Sequence, residues 1–231
     1  RHILYFDGAI SEAQVFVNEE KVCFWPYGYN SFWCDVTDFV KAGGNEIAVL
    51  LENRPQSSRW YPGAGLYRKV RHITVPEVHV PVWGTYVTTP YVGKDHAVVR
   101  VRTKVEGVAE GEVVTLTTRI VDAEGSTVAE RTDTRQIHKG EAEQNIRVNA
   151  PRLWSPEEPV LYFAETEVYT GGSVDTAWEM ERPEISIRHG KDLRDKISTR
   201  FGFRTIEVRP DEGFLLNGQV RKFRGVCLHH D

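Results

Sequence analysis

The sequence predicts an all-β protein, and three observations carry that prediction. Apolar and polar residues alternate over many short stretches, a period of two that belongs to strands and not to helices. Turn signals such as Asp7-Gly8, Asp122–Gly125 and Asn217-Gly218 separate these stretches. Helical signals are confined to Asp38–Ala42, set between Thr37 and Gly43-Gly44, and to the charged insertion Arg188–Lys196, read as a solvated loop or a single helical turn.

In residues 1–78, Ile3–Phe6 leads into the Asp7-Gly8 turn. Ala13–Val17 places Ala13, Val15 and Val17 on one face and Gln14 and Phe16 on the other. Asn18–Lys21 turns the chain, and Val22–Phe24 returns as the second arm of a hairpin. Asn45–Glu52 points Ile47, Val49 and Leu51 one way, and Arg68–Val75 closes the segment before Pro76. Short strands without helices predict an antiparallel sandwich, although about five strands are few for two complete sheets. Pro26–Trp33 and Ser57–Arg68 are dense in aromatics, Gly and Pro, which is a loop composition. Two readings stand for such loops: aromatic packing beneath them, or a sugar-facing surface where rings stack on pyranoses.

In residues 79–208 the alternation is longer. His96–Glu106 faces Ala97, Val99, Val101, Thr103 and Val105 one way and Arg100, Arg102 and Lys104 the other, so one face is wet. Val113–Val121 alternates likewise, Asp122–Gly125 turns, and Thr127–Ile137 pairs back. Gln144–Val148, Leu161–Tyr169, Val174–Met180 and Ile197–Val208 supply further strands. Seven or eight strands over about 110 residues match an immunoglobulin-like sandwich in size and count, without the Cys…Trp…Cys pattern of antibody domains.

The last stretch, Phe201–Asp231, reads as a strand, a turn at Pro210, a hairpin at Asn217-Gly218 and a final strand, KFRGVCLH. That strand's apolar run suits burial on both faces, which needs parallel neighbours and covering helices. It ends on His229, His230 and Asp231, and no residues follow to supply the neighbours.

A chain of 231 residues fits one large domain or two ordinary ones. A net charge of −4 without a basic tract gives no nucleic-acid footprint. No run of 18 apolar residues occurs, so no membrane-spanning helix is predicted, and RHILYFDGA is not a signal peptide. Cys23, Cys34 and Cys227 are too sparse for a disulfide framework. They are read as buried free thiols, with pairing of Cys23 and Cys34 across neighbouring strands as the alternative. The compartment stays open.

Catalytic patterns are missing. There is no Gly-x-Ser-x-Gly elbow, and Gly63-Ala-Gly65 lacks the strand–loop–helix setting of a phosphate loop. His229 and His230 point to opposite sides of a strand and cannot share an ion easily, whereas His229 and Asp231 could. Glycoside hydrolysis needs two carboxyls about 5–10 Å apart. Asn18-Glu19 and Asn45-Glu46 read instead as surface turn residues.

Five motifs together resemble glycoside hydrolase family 2, the family of β-galactosidases, β-glucuronidases and β-mannosidases. FDGAISEAQVFVNEEKV is similar to its F-D/E-G…N-G segment, with Glu19 where Gly is usual. PYGYNSFWCDVTDFVKAGGNEIAVLLEN, RWYPGAGLYRKVRHITV and LWSPEEPVLY follow in the family's order. FGFRTIEV with GFLLNGQVRKFRGVCLHHD resembles the lead into its catalytic barrel. SSRWYPGAGLYR and GVCLHHD are most similar to β-galactosidase-type members.

The resemblance implies a partial jelly-roll (galactose-binding-like) sandwich at 1–78, an immunoglobulin-like sandwich at 79–208, and the first hairpin and strand of a (β/α)8 barrel at 209–231. It implies a fragment of a retaining exo-glycosidase acting on terminal β-galactosides, cut at both ends and inactive alone, because both catalytic glutamates belong to later barrel strands. No catalytic residue and no cofactor is expected in this chain, with room for a divalent metal in the complete enzyme. His229 matches a residue lining the subsite for the non-reducing sugar, with His230 and Asp231 extending its rim and Cys227 replacing the usual Asn. Arg59 and Trp60 occupy the loop that the family's jelly-roll sends to its active site, which implies hydroxyl recognition by Arg59 and stacking by Trp60. Carbohydrate is the implied partner, with no nucleic acid or membrane, and assembly of identical copies is compatible with the family. The alternative is a stand-alone carbohydrate-binding or structural β-sandwich protein.

Overall fold

The period-two alternation becomes strand over most of its length, with Ile197–Val208 divided between two strands by residues 202–205. In a computed structural model, which describes residues 1–56, 63–137, 140–179 and 182–227, the described residues form eighteen strands and no helix. Two compact units form: Arg1–Val75 with the described part of Arg224–Asp231, and Pro76–Phe223.

The first unit holds β1 (His2–Phe6), β2 (Ala13–Val17), β3 (Glu20–Trp25), β4 (Phe32–Asp35), β5 (Ile47–Leu50) and β6 (Val70–Thr74). They make two antiparallel sheets, ordered β4-β1-β6 and β3-β2-β5. Leu4 and Phe6 from one sheet and Val15 and Val17 from the other share a core with Phe32, Cys34 and Val36. Phe32 sits at its centre, stacked on Phe6 at 4.6 Å and on Trp25 at 5.7 Å. The loop composition of Pro26–Trp33 hid this strand. Phe32 and Cys34 are buried while Trp33 and Asp35 face outward, so β4 alternates once the core claims Phe32.

Asp35 closes the strand. Its Oδ1 accepts from the Thr37 backbone N–H and hydroxyl, and its Oδ2 from Arg1. The helical turn expected at Asp38–Ala42 is a single turn, with the Phe39 and Val40 N–H groups donating to Val36 O. The reading of free thiols is corrected. Cys23 and Cys34 form a disulfide, with Cα atoms 6.1 Å apart. The bond joins different sheets, because β3 ends one and β4 ends the other. Spacing alone could not reveal that two strands eleven residues apart face each other across a core.

The second unit contains β7 (Thr85–Val92), β8 (His96–Lys104), β9 (Val113–Val121), β10 (Thr127–Gln136), β11 (Glu141–Asn149), β12 (Tyr162–Thr170), β13 (Ser173–Glu179), β14 (Arg182–Arg188), β15 (Asp192–Phe201), β16 (Ile206–Arg209), β17 (Gly213–Leu216) and β18 (Gln219–Val220). A four-stranded sheet, β10-β9-β12-β15, packs on a three-stranded one, β11-β8-β7. The space between them holds two apolar clusters, one around Val99, Ile120, Ile146 and Phe203, the other around Val114, Leu116, Ile137 and Val168.

A polar layer separates the clusters. Gln144 lies between Ala142 and Ile146 on β11, Thr118 between Leu116 and Ile120 on β9, and Thr166 between Ala164 and Val168 on β12. The Thr118 hydroxyl donates to Gln144 Oε1 at 2.6 Å and lies 2.9 Å from Thr166 Oγ1. Gln144 Nε2 donates to Leu116 O at 3.2 Å and to Asp133 Oδ2 at 3.0 Å. Gln144, Thr118 and Thr166 are thereby all hydrogen-bonded, as burial demands.

Two expectations fail here. Arg188–Lys196 is loop only over residues 189–191, which turn at the buried Gly190; Arg188 ends β14 and residues 192–196 begin β15. Its charges suit the exposed side of an edge strand. KFRGVCLH forms no strand over its described residues, and Phe223 and Val226 are 77% and 92% exposed. No described strand pairs with it, and unpaired backbone has no ladder to hold it extended.

Candidate functional site

The five residues singled out for sugar contact, His229, His230, Asp231, Arg59 and Trp60, all lie outside the described residues. The shoulders of the loop carrying Arg59 and Trp60 are described, and both are tied to Ile10–Glu12. On one side Glu52 N–H donates to Ser11 O at 2.9 Å, the Ser11 hydroxyl donates back to Glu52 O at 2.7 Å, and Arg54 pairs with Glu12 at 2.9 Å. On the other, Ile10 and Gly65 exchange two backbone hydrogen bonds of 3.1 Å.

The motif glycines explain themselves at this place. A Cβ on Gly8 would sit 2.6 Å from the Tyr67 hydroxyl, and one on Gly28 would sit 2.9 Å from Ile10 Cγ1. Tyr67 fills the space that Gly8 leaves and donates its hydroxyl to Gly28 O at 3.0 Å. The FDG, PYGY and GLYR stretches therefore meet, and the loop between residues 56 and 63 leaves and rejoins a fixed frame.

The approach to the second group of candidates is fixed within the second unit. Asn217 and Gly218, at φ 53° and 73°, turn β17 into β18. Asn217 Oδ1 accepts from Thr205 N–H at 3.0 Å, and its Nδ2 donates to Trp154 O at 3.0 Å. Trp154 N–H donates to Phe203 O at 2.8 Å. Arg221 grips Glu157 with two bonds of 2.6 and 3.0 Å, and Phe223 packs on Phe214 at 4.5 Å between ring centres. The LWSP, FGFR and LNG motifs converge on this knot. Sequence reasoning missed the cleft beside Trp154, although LW and FGFR were its signal.

A glycosidase acid needs a carboxyl held above its ordinary range. The described carboxyls that shift all move down. For Asp35 and Asp133 burial pushes upward, and hydrogen bonds from Thr37 and Arg1, or from Arg131 and Gln144, outweigh it. Glu157 is lowered by its own backbone N–H and by Arg221. Glu167 is lowered by the Tyr169 hydroxyl, then by Arg119 and Lys196 against the effect of burial. These acids are held ionised by cations and hydrogen-bond donors. Among the described residues no three His, Cys, Asp or Glu side chains gather as metal ligands.

The family described as "Glycosyl hydrolases family 2" matches residues 78–181. The chain is 34% identical over 232 residues to Beta-galactosidase BoGH2A of Bacteroides ovatus, covering 98% of this chain and 25% of that protein. It is 25% identical over 250 residues to a Beta-glucuronidase of Bacteroides fragilis, covering 100% of this chain and 33% of that protein. The crystal structure of a glycosyl hydrolase family 2 member from Bacteroides cellulosilyticus superposes with a TM-score of 0.84 at 32% identity, over 100% of this chain and 30% of that one. The chain thus spans about a quarter to a third of the length of the relatives it matches.

Proposed function

Because the chain belongs to glycosyl hydrolase family 2, we propose that it is the non-catalytic N-terminal scaffold of a retaining exo-glycosidase cleaving terminal β-galactosidic bonds. The observation that carries this reading is the order of five motifs from Phe6 to Asp231, supported by 34% identity to a β-galactosidase. In this reading residues 1–78 are part of a jelly-roll, 79–208 an immunoglobulin-like sandwich, and 209–231 the start of a catalytic barrel.

Retaining hydrolysis uses two carboxyl groups about 5–5.5 Å apart, one as nucleophile and one as acid and base. Both are carried by polypeptide outside these residues. The chain's own contribution is recognition. His229 lines the subsite for the terminal sugar, His230 and Asp231 extend its rim, Arg59 donates to sugar hydroxyls, and the Trp60 ring stacks on the pyranose. The anchored flanks at Ile10–Glu12 support this role, because they fix the two points from which the loop leaves and to which it returns.

Steady-state kinetics of the complete polypeptide on nitrophenyl β-galactoside and β-glucuronide test the reading. The galactoside is preferred, and Trp60→Ala raises KM at least about fivefold, roughly the 1 kcal/mol of one stacked ring. Preference for the glucuronide, or an unchanged KM in Trp60→Ala, contradicts it.

A further inference from the structure

The second unit has a cleft that the proposed function does not use. Strands β7 and β15 end the two sheets on one flank of the sandwich, and the cleft runs along that flank. It is an open groove of about 430 Å³, within the range of about 300–1,000 Å³ usual for small-molecule sites. Val87, Thr88, Trp154, Arg200, Phe201 and Arg204 line it. A bulge between Thr88 and Tyr91 breaks the β7 register at its mouth, and such bulges re-aim side chains beside sites.

Its charge is unbalanced. Arg100, Arg102, Arg119, Arg131 and Arg152 on the same unit each pair with a carboxylate. Among the described residues Arg200 and Arg204 pair with none. Arg204 instead lies over the Trp154 ring at 5.2 Å. Stacking engages the flat face of a guanidinium and leaves its in-plane N–H donors free, the geometry that grips a carboxylate with two bonds.

The backbone that carries the Trp154 ring is fixed. The Trp154 backbone N–H donates to Phe203 O, and its carbonyl accepts from Asn217 Nδ2. A Cβ on Gly202 would come within 3.0 Å of Trp154 Cβ, so glycine is what allows this close approach. A guanidinium placed in advance loses little freedom on binding. The cleft therefore offers two cations, an aromatic and aliphatic wall and the Thr88 hydroxyl.

We propose that this cleft binds a carboxylate-bearing sugar, a uronic acid residue. Its carboxylate sits on Arg204 and Arg200, its apolar ring face rests against Trp154 and Val87, and its hydroxyls meet Thr88. The inference goes beyond the proposed function, and its test is a binding measurement that stands or falls whatever the complete enzyme hydrolyses.

The test is titration of the isotope-labelled 231-residue chain with methyl β-D-glucuronide, followed by the amide signals of Thr88 and Gly202 and the Trp154 indole N–H. Saturable shifts are expected at millimolar ligand. Methyl β-D-glucoside, which lacks the carboxylate, binds at least tenfold more weakly, and so does the Arg204→Gln variant. Arg200→Gln serves the same purpose should Arg204→Gln fail to give a native spectrum. The proposal is overturned by absence of saturable shifts, by equal binding of the neutral glycoside, or by equal binding in both variants. Equal binding of sodium acetate overturns it too, since the site would then read any carboxylate and no sugar.

Discussion

Cys23 on β3 and Cys34 on β4 are bonded to each other across the gap between two sheets. They close one flank of the first unit. The other flank, where β5 and β6 end the sheets, leaves Ile47 and Val70 exposed. A sandwich of two three-stranded sheets buries little apolar area, and small domains of this kind lean on cross-links.

Closing a loop of this length removes unfolded-state entropy worth about 3 kcal/mol. Reduction, or Cys23→Ala with Cys34→Ala, should lower the urea midpoint of the first unit by a corresponding amount. Thiol titration in denaturant without reductant should find one free group, Cys227, out of three cysteines. Finding three contradicts the cross-link. Because disulfides persist in oxidising compartments, protein made in a reducing cytosol should be the weaker form.

Asn18 and Glu19 form the two-residue turn between β2 and β3, with φ of 49° and 72°. Asn tolerates this left-handed geometry and here also bonds Phe39 O and Asn45. Glu does not tolerate it, and left-handed backbone costs a non-glycine residue roughly 1 kcal/mol. Glu19→Gly should therefore stabilise the protein by about 0.5–1 kcal/mol, after allowing for glycine's greater unfolded entropy. Thermal unfolding checks the sign.

Gln144 satisfies Thr118 and receives support from Leu116 O and Asp133. Gln144→Leu leaves these groups buried with fewer partners and should cost at least about 2 kcal/mol. The triple change Gln144→Leu, Thr118→Val, Thr166→Val removes donors and acceptors together and should recover much of that loss. A triple variant no more stable than the single one would show that the layer's worth is packing and not hydrogen bonding.

Glu167 is held below the ordinary carboxylate range by Tyr169 first, then Arg119 and Lys196, against burial. The folded state therefore takes up this proton less readily than the unfolded one. Its contribution is complete at neutral pH and is lost as the pH falls below about 4.3, where an unfolded Glu protonates, and on through the lower folded value. Glu167→Gln should lower stability at pH 7 and flatten the acid limb of the stability profile. An acid limb as steep as the parent's contradicts this assignment.

Most of the fold was legible because alternation is a strong signal wherever one face is wet. Ala13–Val17 and Val113–Val121 are strands over the very residues that alternate. The misses share a physical cause: a partner that sequence does not show. β4 hides in an aromatic run until Phe32 meets Phe6. The first half of β15, residues 192–196, hides in charge because edge strands carry charge. The threonines at 118 and 166 read as strand formers, and only the facing Gln144 turns them into a buried layer. For the candidate site, the motifs pointed to loops whose frame is now explained by Gly8, Gly28 and Asn217, while Arg204 remained mute without Trp154 beside it.

Turnover of nitrophenyl β-galactoside, measured side by side for these 231 residues and for the complete polypeptide, tests the scaffold assignment most directly. The complete polypeptide should turn over the substrate, and the 231-residue chain, folded by circular dichroism, should match a buffer blank. Sustained turnover by the 231 residues alone would contradict the assignment.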